Sequence, residues 1–203
     1  MQLKKRASLL AVSIASLFAT GALAAAVVGQ PAPAFTAKDI AGKTVSLADF
    51  KGRTVVLEWH NFGCPFVQKH YKSGNMPSMQ KYFANDVVWL AVNSTNPGHQ
   101  DYMKPAEIRK ALSEFGAVPA HYLMDESGEI GQAYGAKVTP HMYIIDASGK
   151  VVYNGAIDDK RSADVKDVRG AKNFVSTALL AMKAGRPVAD ASNAPYGCTV
   201  KYK

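Results

Sequence analysis

Six consecutive apolar residues, Val87-Val88-Trp89-Leu90-Ala91-Val92, constrain this chain more than any other stretch. A strand with one wet face alternates apolar and polar side chains. One without alternation needs cover on both faces, and that points to the interior of a parallel sheet packed between layers of helix. A second buried strand follows from the β-branched run Thr54-Val55-Val56-Leu57, extending to about His60. Asn61-Phe62-Gly63 then reads as a turn. Cys64 follows, and Pro65 suits the first helical position, where its missing N–H costs nothing. This helix should run to Lys72, break at Ser73-Gly74-Asn75, and restart from Pro77 to Tyr82.

Further along, Ile108, Leu112 and Phe115 recur at helical spacing and Gly116 stops them. His121 to Met124 reads as a short strand and Ile130 to Tyr134 as a helical turn. Met142-Tyr143-Ile144-Ile145 and Val151-Val152-Tyr153 flank Asp146-Ala147-Ser148-Gly149 as a hairpin. Phe174, Ala178, Leu179 and Met182 line a last helix ended by Gly185. Lys43 to Leu47 alternates like an edge strand, residues 31–35 are too proline-rich for a helix, and the tail from Arg186 to Lys203 is expected to be irregular. Alternating strands and helices with a late hairpin predict an α/β domain over residues 25–185, one mixed central sheet with helices on both faces, followed by a tail 186–203 that carries Cys198.

Residues 1–24 differ from the rest. Lys4, Lys5 and Arg6 precede an uncharged apolar run from Ala7 to Leu23, and Ala22-Leu23-Ala24 has the small-x-small form of a cleavage site. The pattern is that of a cleavable signal peptide, so a periplasmic location is expected, with no stable membrane insertion after cleavage. No Cys follows directly to carry a lipid anchor. Setting those three basic residues aside lowers the formal net charge from +8 to +5. The remaining charge is scattered, with no basic run interleaved with aromatics, so nucleic acid is not an expected partner.

The chemistry is expected at the cysteines, of which there are two, Cys64 and Cys198. A thiolate is the reactive form, and a helix N-terminus, where Cys64 is placed, favours it. Two cysteines are too few to build a scaffold, which leaves them free for redox chemistry in an oxidising compartment. Thr139-Pro140 stands just before a strand, where an X–Pro bond is often a cis turn that keeps a backbone edge open to an extended partner. Cys198 is the one available partner for Cys64, either as a resolving cysteine or as a static tether for the tail. A copper or zinc site built from Cys64 with two of His60, His70 and His141 is an alternative, although none of the spacings is a sharp metal motif. No cofactor and no metal are assigned.

Gly63-Cys64-Pro65 after an apolar strand, with Thr139-Pro140 before the hairpin, resembles the thioredoxin superfamily. The opening Gly29, Ala32-Pro33, Phe35, Gly42, Leu47 and Phe50-Lys51-Gly52-Arg53 is similar to the redoxin branch, which includes alkyl hydroperoxide reductase and thiol-specific antioxidant proteins. Leu57-Glu58-Trp59, Cys64-Pro65-Phe66-Val67, His70-Tyr71, Ser73-Gly74-Asn75-Met76, Thr139-Pro140-His141-Met142-Tyr143 and Tyr196-Gly197-Cys198 are similar to exported bacterial peroxiredoxin-like redoxins. The resemblance implies a thioredoxin fold and a thiol-dependent oxidoreductase. Its reactive residue would be Cys64, with Cys198 as resolving cysteine, Glu58 as a buried proton acceptor, and Pro65, Thr139 and Pro140 at the substrate. It implies a protein disulfide or a hydroperoxide as substrate and an external thiol as electron donor.

Three departures separate the chain from the branch's best-known members. Val67 replaces the second cysteine of Cys-x-x-Cys, so no local dithiol exists. Asn61 stands where peroxiredoxins carry the Thr or Ser that orients peroxide, and Pro140 falls where their arginine belongs. Disulfide exchange is therefore the expected reaction. Hydroperoxide reduction, metal binding and a redox-inert staple are the competing readings.

Overall fold

The computed structural model describes residues 25–203, so the expected signal peptide at 1–24 lies outside the described residues. The chain runs β1 (Thr36–Asp39), β2 (Thr44–Ser46), β3 (Thr54–Trp59), α1 (Pro65–Lys72), α2 (Asn75–Tyr82), β4 (Val87–Asn93) and α3 (Pro105–Phe115). It continues through β5 (His121–Met124), α4 (Glu129–Tyr134), β6 (Val138–Thr139), β7 (His141–Ile145), β8 (Val151–Gly155), α5 (Phe174–Lys183) and β9 (Cys198–Thr199). Single turns of 3-10 helix cover Leu47–Phe50 and Val165–Val168.

Seven strands form one sheet in the order β2-β1-β5-β4-β3-β7-β8. β4 lies parallel to both β3 and β5, and its seven residues are all buried, as its unbroken apolar run demands. The remaining pairs in the sheet are antiparallel. Strand alternation divides the core in two. Val56, Trp89, Ala91, Met142 and Ile144 pack with Val67 and Tyr71 of α1, Ile108 of α3, and Val175 and Leu179 of α5. Val55, Leu57, Trp59, Leu90, Val92 and Tyr143 face the other way, onto Ile130 and Tyr134 of α4 and onto Phe35 near the start of the described chain. The mixed sheet thus has helices on both faces.

Most boundaries follow local signals. Pro65 and Pro105 start their helices, while Gly116 ends α3 in a left-handed conformation at φ 61°. The second helix begins at Asn75 rather than Pro77, because Gly74 at φ 73° makes the break by itself. One strand goes unannounced and one expectation needs correction. Thr36–Asp39 is a strand that its polar residues do not announce, and the tail is not wholly irregular, since Cys198–Thr199 pairs antiparallel with Val138–Thr139. No helix among the described residues is long and apolar enough to cross a membrane.

Candidate active site

The turn between β3 and α1 is built by Asn61. Its side-chain oxygen accepts the Gly63 amide at 2.7 Å, its amide donates to Thr95 Oγ1 at 2.8 Å and to the Asp101 carbonyl at 3.2 Å, and its own carbonyl accepts the Cys64 amide at 3.0 Å. Cys64 is left as the N-cap of α1 in extended conformation, with Pro65 behind it at the first helical position. The side chain makes no cap bond. Its Sγ donates instead to the Thr139 carbonyl at 3.0 Å.

Thr139 is thereby joined to both cysteines. The Thr139-Pro140 peptide bond is cis, and Thr139 is the register partner of Cys198 across the β6–β9 ladder. The backbone edge expected to stand open is therefore filled by the chain's own tail. Approach is close enough that only glycine fits before Cys198. Gly197 sits at φ 145°, and a Cβ there would run into the Thr139 carbonyl. Cys64 and Cys198 both line a cavity of about 20 Å³ with Asn61, Ser94, Thr95 and Lys201. Both sulfurs are free thiols, Cys64 buried and Cys198 half-buried. Burial, reinforced by the adjacent Cys64, pushes the Cys198 thiol up to about 12.

Glu58 lies on the α1 face of β3 and is fully buried. Its carboxylate accepts Tyr71 Oη at 2.9 Å and Trp89 Nε1 at 2.8 Å. Burial raises its pKa to about 7 despite these bonds, within reach of neutral-pH proton transfer. It is neither a solvent-facing strand residue nor half of a surface salt bridge.

A second polar cluster was invisible in the sequence. Lys69 of α1 is fully buried, with Nζ 3.4 Å from Asp158 Oδ2, donating to the Lys160 carbonyl at 2.6 Å and to Tyr196 Oη at 3.1 Å. Tyr196 Oη in turn donates to Asp158 Oδ1. Tyr196 comes two residues before Cys198, so this cluster ties the tail to the helix that carries Cys64. Nothing local distinguishes Lys69 from Lys72 one helical turn later.

The three histidines of the metal alternative are engaged elsewhere, His70 also meeting Tyr196 Oη at 3.3 Å. His60 is hydrogen-bonded to Tyr122 at 2.9 Å, His70 to Asn75 at 2.9 Å, and His141 to Asn154 at 2.7 Å. Burial lowers the pKa of His60 to about 3 and of His70 and His141 to about 4. Among the described residues no three His, Cys, Asp or Glu side chains gather as a metal ion requires.

A model of the AhpC/TSA family matches residues 28–154. This chain belongs to the AhpC/TSA family. The matched span holds Cys64, Glu58 and the cis-proline loop of this AhpC/TSA protein, while Tyr196 and Cys198 lie beyond it. Thiol-disulfide oxidoreductase ResA of Bacillus thuringiensis subsp. konkukian is 26% identical over 131 residues, covering 62% of this chain and 67% of the relative. A conserved protein from Geobacillus kaustophilus superposes with a TM-score of 0.73 at 29% identity, covering 87% of this chain and 93% of that one. The thioredoxin domain of a thiol-disulfide oxidoreductase from Bacteroides vulgatus shares the fold, with a TM-score of 0.51 at 24% identity over 70% of this chain and 95% of its own. The AhpC/TSA protein is accordingly a thiol-based oxidoreductase on a thioredoxin fold.

Proposed function

We propose that this protein is an exported, periplasmic thiol–disulfide exchange enzyme whose working unit is the pair Cys64 and Cys198, cycling between dithiol and disulfide. The observation that carries the reading is the double use of Thr139. Its carbonyl accepts the Cys64 thiol while its backbone pairs with Cys198, so two sulfurs far apart in sequence share one small cavity. Loss of the local Cys-x-x-Cys partner at Val67 is thereby offset from the tail. Glu58 takes and returns the proton of the reacting thiol, Asn61 holds the turn, and Pro65, Thr139 and Pro140 frame the reacting sulfur. Substrates are disulfides or thiols of partner proteins. Export rests on the basic, apolar and small-residue pattern of residues 1–24.

The decisive experiment titrates the chain lacking residues 1–24 against glutathione redox buffers and quantifies the Cys64–Cys198 cross-linked peptide by mass. The expected result is a single two-electron transition that either Cys→Ser variant abolishes. Two free thiols at the oxidising end would overturn the reading, and a cross-link that mild reductant never reopens would make it a static staple.

Family membership favours one second reading, hydroperoxide reduction at Cys64. Asn61 speaks against it, because its side chain is committed to Gly63, Thr95 and Asp101 rather than to a peroxide beside the sulfur. The rate of sulfenic acid formation with hydrogen peroxide in the Cys198→Ser protein separates the two. An ordinary thiolate rate favours exchange, and one thousands of times faster favours the peroxidase.

A further inference from the structure

We propose that partners meet this dithiol at the sulfur of Cys198, and that Cys64 exchanges only internally. The proposal rests on the reading above that the two cysteines form one redox pair. It inverts the arrangement expected from the sequence, in which Cys64 attacks an external substrate and Cys198 follows.

Access decides it. Cys64 is 3% exposed, whereas Cys198 is half-buried and lies on a strand whose next residue, Thr199, is exposed. The cavity between them, about 20 Å³, accommodates roughly one water molecule and no thiol-bearing ligand. A partner could reach Cys64 only by lifting the tail from the Thr139 edge, and the tail is fastened on both sides of Cys198. Before it, Tyr196 is buried, bonded to Asp158 and Lys69, with its ring against Phe66. After it, the Val200 amide donates to the Lys137 carbonyl at 3.0 Å and the Asn96 amide to the Lys201 carbonyl at 2.8 Å. Tyr202 Oη then donates to the Ala136 carbonyl at 2.8 Å. Lifting the strap would also strip Tyr196 from a buried ion pair.

The exchange balances as follows. With Cys64 and Cys198 joined, a partner thiolate attacks Cys198 Sγ. The new bond forms there, the Cys64–Cys198 bond breaks, and its electron pair leaves on Cys64 Sγ, which takes up a proton. A second partner thiolate attacks the partner sulfur of this mixed disulfide and expels Cys198, which is protonated in turn. Two partner thiols become one disulfide, and the enzyme gains two electrons and two protons. Run backwards, the same steps reduce a partner disulfide.

The test uses the oxidised chain, with the Cys64–Cys198 cross-link verified by peptide mass before any thiol is added. Glutathione is then mixed in, the reaction is acid-quenched at early times, free thiols are alkylated, and both cysteine peptides are weighed. The expected early product carries glutathione on Cys198 and the alkyl group on Cys64, in at least tenfold excess over the reverse. Glutathione mainly or equally on Cys64 overturns the proposal. Absence of the cross-link at the first step would instead overturn the dithiol reading on which it rests. Tyr196→Phe, which keeps the ring and removes the hydroxyl, is expected to shift the adduct several-fold toward Cys64, and an unchanged ratio overturns the role given to the strap.

Discussion

Tyr71, on the helix capped by Cys64, donates a 2.9 Å hydrogen bond to Glu58, on the strand that leads into that helix. Strand and helix are thus pinned through a carboxyl group whose burial raises its pKa to about 7 from an ordinary 4.5. An acid with a raised folded pKa contributes stability below its unfolded pKa and loses it as pH rises through the folded value. Between pH 5 and 8 the native protein should therefore lose stability relative to Glu58→Gln. The difference approaches about 3 kcal/mol at the upper end. Urea midpoints of both proteins across that range measure it, and parallel profiles would remove the raised pKa from the account.

Asp158→Asn should be among the most damaging single substitutions outside the sulfurs. It strands Lys69, whose side chain and that of Asp158 are at most 1% exposed. Breaking a buried pair in this way costs about 3–5 kcal/mol. Asp86→Asn, which breaks a half-exposed pair with Lys183, should cost far less, because water screens that pair. Chemical denaturation of the two variants side by side makes the comparison.

Asn61→Ala removes the acceptor for Gly63 and both donors to the loop after β4. A stability loss of roughly 1–2 kcal/mol is expected, together with slower closure of the Cys64–Cys198 link, because the turn that aims Cys64 is loosened. Rates of disulfide closure measured by alkylation trapping show the second effect separately from the first.

Gly197→Ala places a Cβ into the Thr139 carbonyl at a φ of 145°. The strap must withdraw, and Cys64 should become several-fold more reactive toward iodoacetamide in the reduced protein. Circular dichroism should stay close to native, since β9 adds only two residues of strand.

How legible all this was depended on whether the deciding contact was local. The apolar run of β4, Pro65 before α1 and Gly116 after α3 each carry their reason within a few residues, and the architecture followed from them. Cys64 was legible for the same cause, as the residue between a strand's turn and a helix's proline. β9 was not. Two residues have no periodicity, and they become a strand only because Val138 and Thr139 arrive beside them. The burial of Lys69 was hidden for a similar reason, since a lysine on a helix reads as solvated until Asp158 and Tyr196 close over it. The edge beside Pro140 was read as open because what fills it comes from the far end of the chain.

That distance along the chain also sets an order in time. The proposed reactive centre joins position 64 to position 198, so 134 residues separate the synthesis of one sulfur from that of the other. At typical translation speeds the first thiol precedes its cover by roughly 7 to 27 s. β4, β5 and β7 can all emerge and pair with β3 or with one another in that interval, leaving a nearly complete sheet with Cys64 unguarded just past the end of β3. For this fold the hazard of a wrong thiol partner is greatest at birth, and the strap that completes the site is also what ends that exposure.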